Sequence, residues 1–393
     1  MRLILVCVFM LRASVSLGEW ELKHMGDKRD SVIRKVHFIT PEQGWAVGNR
    51  TYWTEDGGET WTRRDLDISP RAFFLNTLDG WQQLGFDEQG GHLIRGPYPP
   101  IGVQMPFQRT YNGGLSWVQM SGTITEVIEI NAPPRPEEVR FFSTDAQRMT
   151  FYFLDSQTGF AAGSTSLYGG MPLTRDAFRA YYIGKTTDGG KTWKLHIHWG
   201  NWNDIPLPIR KIEFVDVQYG WVLTDVTTLY RTQDGGETWQ PIHLPRSGFR
   251  IDFTTPKEGW MTVRYLARRT EGELWHTTNG GRTWDVVFHI FMGRPFDIVF
   301  VNPQEGWIAL YGQVPELGID DPSFKGVLHT KDGGRTWEVE KIPTWIGYFT
   351  YDMLTQTLWV GGWYDALYKR AAPVVGLSPH GKLPLSWGQL KLR

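Results

Sequence analysis

Six short polar side chains occupy one recurring place in glycine-rich phrases: Asp56, Asn112, Asp188, Asp234, Asn279 and Asp332. A carboxylate among glycines suggests cation ligation or acid-base catalysis, and both need several such groups at one point. Here they come one per phrase, strung along the chain. The alternative is local. Asp or Asn caps nearby backbone N–H groups, and the Gly-Gly that follows supplies positive φ at no steric cost. Each then satisfies its own turn, so the six are read as structural and no metal or cofactor is expected. A second recurring type is arginine, placed three to six residues before a Phe: Arg34, Arg71, Arg148, Arg210, Arg250 and Arg294. Guanidiniums gathered at one mouth would bind anions. The competing reading pairs each with a neighbouring Glu213, Asp216 or Asp252. The offset to the Phe varies, so the strand alternation does not aim all six the same way. His196 and His198 share one side of a strand, but no third metal ligand accompanies them.

What must hold these groups is a repeat. The glycine-rich phrases are TEDGGETW ending at Trp61, TYNGGLSW at Trp117, TTDGGKTW at Trp193, TQDGGETW at Trp239, TTNGGRTW at Trp284 and TKDGGRTW at Trp337. The Trp residues are 56, 76, 46, 45 and 53 residues apart, and about 45 residues make one four-stranded propeller blade. A second phrase precedes the first: FITPEQGW at Trp45, FVDVQYGW at Trp221, FTTPKEGW at Trp260 and FVNPQEGW at Trp307, with weaker copies at Trp81 and Phe160. It reads as strand, turn, strand. A seventh start lies at Tyr351 to Gly362, followed by a strand at Ala366 to Arg370 but no glycine-rich box. The missing strand is sought at the other end, where EWELKH (19–24) resembles TWEVEK (336–341). The expected fold is all-β: a seven-bladed β-propeller of four-stranded antiparallel blades over 19–370, one domain, with the N-terminal strand closing the last blade and removing two sheet edges.

The boxes resemble the Asp-box, or bacterial neuraminidase repeat, and their pairing with FxxxxxGW resembles the photosystem II assembly and stability-factor propellers over nearly all of 19–370. That resemblance implies an exported, non-enzymatic chaperone that docks a protein or peptide partner, such as a membrane-protein intermediate, through an arginine-rich surface. Asp-boxes also occur in sialidases and xyloglucanases, so a glycoside hydrolase acting on glycans is the alternative. A sialidase needs three arginines on the substrate carboxylate, a Tyr-Glu nucleophile pair and an acid Asp. The early Arg-Ile-Pro phrase is absent, and Pro208-Ile209-Arg210 runs in reverse order. For a glycanase pair, Asp204, Glu137, Asp176 and Asp320 are nominated only by position.

Both recurring phrases fall on one face of the expected disc, while the irregular segments 86–108, 121–148, 164–180, 267–272 and 311–326 fall on the other. Binding usually resides on long loops set on a rigid scaffold. The arginines belong to that link face, together with Trp199, Trp202, Trp345, Trp363 and Tyr364 as candidate contact aromatics.

The chain carries 41 basic and 42 acidic residues in 393, so no global field draws it to nucleic acid. Its start, Arg2 followed by the apolar run Leu3 to Leu11 and small residues to Gly18, reads as a secretory signal peptide over 1–18. A periplasmic, thylakoid-lumenal or extracellular monomer is expected. Cys7, inside that leader, is the only cysteine, so the mature protein would lack a thiol. Residues 371–393 form a basic, Pro-containing tail outside the repeat.

Overall fold

The computed structural model describes residues 20–26, 31–83, 94–96, 100–131, 141–144, 149–168, 178–200, 209–224, 227–265, 271–352 and 354–370. The leader at 1–18 and the tail at 371–393 lie outside them. The protein is an all-β propeller. Among the described residues its strands fall into seven four-stranded sets, each built outward from an inner strand. The inner strands are Ile33–Phe38, Phe73–Phe74, Thr150–Phe153, Lys211–Phe214, Gly248–Phe253, the second half of Asp285–Phe300, and Ile346–Asp352. The seventh set takes its outermost strand from the other end of the chain. Trp20–His24 pairs antiparallel with Leu367–Arg370, and Trp20 Nε1 donates to Glu340 Oε2 of the sixth set at 2.5 Å. The expected closure is present.

The two phrases interlock. Each Gly-Trp aromatic packs on the inner-strand Phe of the next set: Trp81 on Phe153 and Trp221 on Phe253 at 3.7 Å, Trp260 on Phe300 at 3.8 Å, Phe160 on Phe214 at 4.2 Å, Trp45 on Phe74 at 5.1 Å and Trp359 on Phe38 at 5.8 Å. Trp307 faces the one set whose inner strand has no Phe there. It stacks instead on His329 at 4.5 Å, with the Arg370 guanidinium 4.8 Å away. All six of these indoles, Trp45, Trp81, Trp221, Trp260, Trp307 and Trp359, rank among the largest fully buried side chains, so the Trp-rich composition supplies the adhesive between blades.

The boxes close their own turns, as the sequence suggests. Asp56 Oδ1 accepts from Thr54 Oγ1 at 2.8 Å and from Thr60 N at 2.9 Å, while Oδ2 takes Thr60 Oγ1 at 2.6 Å. Asp188, Asp234 and Asp332 repeat this pattern, and Asn112 and Asn279 reproduce it by donating through Nδ2. The second glycine has a further duty. A Cβ on Gly58 would meet Trp359 at 2.5 Å, and one on Gly236 would meet Phe160 at 2.4 Å, so the gap admits the neighbouring set's aromatic. Each box also donates its first Gly N–H to the turn after the inner strand, as Gly57 does to Glu42 O at 2.8 Å. Both phrases therefore share one face.

The structure departs from expectation in the second and third sets. Val118–Glu129 runs on past Ser121 and pairs in parallel with Thr192–Gly200, while Gly159–Tyr168 and Phe178–Thr186 form a long hairpin onto which Phe141–Thr144 and Ile94–Gly96 add. Segments read as irregular thus extend the sheet, because backbone pairing there outruns the blade.

Candidate functional site

Along the central channel the inner strands are tied by carboxylates, of which the sequence named Glu213 and Asp252 only as pairing neighbours for the arginines. Glu213 accepts from Phe253 N at 2.7 Å, Asp252 from Phe300 N at 2.7 Å, Asp297 from Phe349 N at 3.0 Å and Asp352 from Phe38 N at 3.1 Å. Each acid thus holds the inner strand of the next set. Lys211 Nζ bridges Glu213 at 2.7 Å and Asp252 at 3.1 Å. A buried carboxylate is costly unless charge and hydrogen bonds are matched; Lys211 supplies the charge for Glu213 and Asp252, and Arg250 Nε faces Asp297. Burial raises Asp297 and Asp352 above the usual carboxylate range. For Lys211 burial acts downward, and the Asp252 and Glu213 carboxylates overcome it to raise the ammonium. These acids tie each inner strand to the next.

Above this girdle, on the link face, arginines converge on two phenylalanines. The Arg210, Arg250 and Arg264 guanidinium carbons lie 4.6, 4.4 and 3.0 Å from the centroid of Phe249, and Arg264 and Arg294 lie 5.5 and 5.3 Å from Phe296. Both rings are buried, at 8% and 7% exposure. The backbone explains how they get there. Phe249 is the extra residue of a β-bulge between the pairs Gly248↔Val263 and Arg250↔Thr262, and Phe296 occupies the same place between Pro295↔Leu310 and Asp297↔Ala309. A bulge re-aims side chains against the strand alternation. It is also why arginines at unequal offsets from their Phe can meet.

Arg264 Nε and Nη2 both donate to Pro295 O, at 3.1 and 2.8 Å, and Arg250 Nε pairs with Asp297 Oδ1 at 3.4 Å. Burial, then the charges of Arg294, Arg250 and Arg210, push Arg264 below the usual guanidinium range, with Tyr348 acting the other way. Arg210 and Arg250 share one ring, so their guanidinium carbons are at most about 9 Å apart. At that range two unit charges repel by about 2 kcal/mol at an effective dielectric of 20. The Asp297 carboxylate beside Arg250 offsets part of this repulsion.

Of the six arginines read from the sequence, Arg210, Arg250 and Arg294 meet here. Arg34, itself the bulge residue between Ile33↔Gly48 and Lys35↔Val47, sits 5.8 Å from the ring of Tyr348, the neighbour that Arg264 feels. Arg71 is exposed ahead of Phe73–Phe74, and Arg148 lies outside the described residues. Arg264 was missed because it ends a second strand, where the repeat shows no arginine. Trp345 and Trp363 are half-buried between sets, with Tyr311 4.6 Å from the first and Phe296 5.3 Å from the second; Tyr364 is half-buried in a turn at φ 63°. Trp202 and the side chain of Trp199 lie outside the described residues, as do Glu137, Asp176 and Asp204.

Asp320 is exposed on the loop after Pro315–Leu317. One Tyr-Glu pair lies near the arginines: the Tyr265 hydroxyl donates to Glu273 Oε1 at 2.5 Å. Glu273 is only 3% exposed, and its other oxygen accepts from Trp275 Nε1 at 2.7 Å and faces Arg246 Nε at 3.6 Å. Burial and Glu273 push the Tyr265 hydroxyl up to about 12, so it stays protonated at neutral pH and is not poised as a nucleophile. Burial lowers His196 and His198, and among the described residues no group of His, Cys, Asp and Glu is arranged to hold a metal ion.

No protein-family model matches the chain. Curated relatives do. The photosystem II assembly protein Ycf48 of Thermosynechococcus vestitus is 28% identical over 286 residues, 59% of this chain and 79% of that protein. That of Synechococcus sp. JA-2-3B'a(2-13) is 24% identical over 279 residues, 56% of this chain and 79% of its own length. The chain is similar to the Ycf48 assembly proteins. A shorter match, 27% over 135 residues, 32% of this chain and 35% of the relative, is to a Ycf48 assembly lipoprotein of Synechococcus sp. CC9902. Among solved structures, one described as YCF48 bound to D1 peptide superposes with a TM-score of 0.50 at 17% identity, covering 92% of this chain and 99% of that one. The GH74 enzyme of Niastella koreensis gives 0.54 at 11% identity, covering 91% and 54%. At these identities the two structures speak for the propeller fold they share.

Proposed function

We propose that this chain is a non-catalytic propeller that docks an acidic peptide segment of a partner protein, in the manner of a photosystem II assembly factor. The partner class is a membrane-protein intermediate, as the D1 peptide on the similar YCF48 suggests. Arg210, Arg250, Arg264 and Arg294 receive the acidic group, and Arg34 and Tyr348 flank it. The observation that carries this reading is the convergence of guanidiniums from several blades on Phe249 and Phe296. Charge-assisted hydrogen bonds to such donors exceed neutral ones, and the partner's acid offsets a repulsion that the free protein bears. The seven strand sets are taken as seven blades of one domain over 19–370. Export through the leader at 1–18 is part of the same proposal, in keeping with a relative named as a lipoprotein.

The test is fluorescence anisotropy with an end-blocked, labelled peptide carrying two aspartates. The parent binds it with an affinity that falls steeply with salt, and Arg264→Gln weakens binding about tenfold or more, since a hydrogen bond to a charged group contributes about 1.5–3 kcal/mol. Equal affinity in the two proteins overturns the assignment.

A further inference from the structure

Immediately upstream of Arg294 the chain does something costly. Met292 is 57% exposed and has φ 48°, the left-handed region that side chains other than Gly avoid, and Phe291 beside it is 42% exposed. The neighbouring backbone is built to allow this. A Cβ on Gly293 would fall 1.9 Å from Tyr311 O, and Gly312 opposite has φ 106°. Between the pairs Phe291↔Gln313 and Arg294↔Tyr311 the register slips, so Asp285–Phe300 crests on the link face as it passes from the fifth set to the sixth. Isolated exposed apolar residues are ordinary. Two adjacent ones, at a strained crest two residues from a guanidinium of the arginine cluster, are not.

We infer that Phe291 and Met292 form an apolar shelf that reads the residue next to the partner's acidic group. The inference rests on the peptide-docking reading above. Two residues of extended chain span about 7 Å, so an acidic side chain in the arginine cluster sets its near neighbours over the crest. The favoured partner segment is acidic and then apolar, for example Asp-Asp followed by Leu-Leu. Met suits such a shelf because its unbranched thioether adapts to varied apolar shapes.

The probes are three end-blocked peptides: Asp-Asp-Leu-Leu, Asp-Asp-Ser-Ser and Asn-Asn-Leu-Leu. They are measured on the parent, on Arg264→Gln and on the double variant Phe291→Ser/Met292→Ser. Expected is about a tenfold preference of the parent for the leucine-bearing acidic peptide over its serine counterpart, since a Leu buried on an apolar surface contributes on this scale. The double variant loses that preference while keeping its affinity for Asp-Asp-Ser-Ser, and Arg264→Gln weakens both acidic peptides. In the parent labelled with ¹³C-methyl methionine, Asp-Asp-Leu-Leu shifts the Met292 methyl resonance and Asp-Asp-Ser-Ser leaves it in place. A double variant that keeps the leucine preference overturns the shelf while leaving the arginine reading standing. Failure of the parent to bind either acidic peptide overturns both.

Discussion

The two faces of this propeller are built on opposite principles. On the Asp-box face every short polar group has its partner inside the same turn, the turns differ little from one another, and the aromatics beneath them are buried. On the link face like charges are driven together over two phenylalanines, inner strands are bulged, and Met292 holds a strained backbone at an exposed crest. A surface that satisfies itself has nothing left for a ligand. One that stores repulsion and exposed apolar area gains free energy when a ligand arrives. Substitutions on the first face should therefore cost stability and leave binding intact, and those on the second should do the reverse.

The largest effect is expected beneath the first face. Trp260→Ala removes a fully buried indole stacked on Phe300 and should lower unfolding stability by about 3–5 kcal/mol, as read by chemical denaturation. Peptide affinity of the folded fraction should not change, and a matching loss of affinity would erase the distinction between faces. Arg264→Gln is the counterpart. It should weaken the acidic peptide about tenfold and lower the denaturation midpoint far less than Trp260→Ala does, because the two hydrogen bonds lost at Pro295 O are partly offset by the removal of one member of a repelling group.

How far each face could be read from the sequence follows the same division. The boxes and the FxxxxxGW phrases are local and periodic, so strand order, the turn role of Asp56 and its five counterparts, and closure by Trp20–His24 were all legible. The stacking of Trp221 on Phe253 across a set boundary was implied only in outline, since neither phrase shows which neighbour it meets. The link face was half legible. Arg210, Arg250 and Arg294 stood out by recurrence, but their meeting depends on the bulges at Phe249 and Phe296, and a bulge leaves no mark on periodicity. Arg264 and the latch acids Glu213, Asp252, Asp297 and Asp352 act only through contacts between sets, which a single strand's pattern does not encode.

Between the extremes lies the seam where the chain's two ends meet. Trp20 Nε1 donates to buried Glu340, which also faces His329 Nδ1 at 3.3 Å, while His329 Nε2 faces Glu305 at 3.1 Å. Trp20→Phe should lower stability by about 1–3 kcal/mol, the cost of removing one partner from a buried acceptor. Burial acts to lower the His329 pKa, but its bonds to Glu305 and Glu340 raise it overall. The folded-state value thus exceeds the unfolded one. The stabilisation it brings is full below the unfolded value of about 6.5 and fades as pH rises through the folded value. His329→Gln should flatten that stretch of the stability profile, and a slope unchanged by the substitution would assign the pH dependence elsewhere.

The smallest effect belongs to the boxes themselves. Asp56 is held down to about 2, first by the Thr60 hydroxyl and then by the Thr60 backbone N–H. A depressed carboxylate contributes stability that is present above its unfolded value of about 3.9 and is lost as pH falls through the folded value. Asn occupies the equivalent place at Asn112 and Asn279 and keeps the turn by donating through Nδ2 to Ser116 and Thr283. Asp56→Asn should therefore fold normally and be slightly less stable at pH 7, with the gap closing as the pH is lowered from about 4 toward 2. Peptide binding at pH 7 should match the parent. If the substitution instead weakened binding, the box would be acting at a distance on the link face, and the two faces could no longer be treated as separate devices.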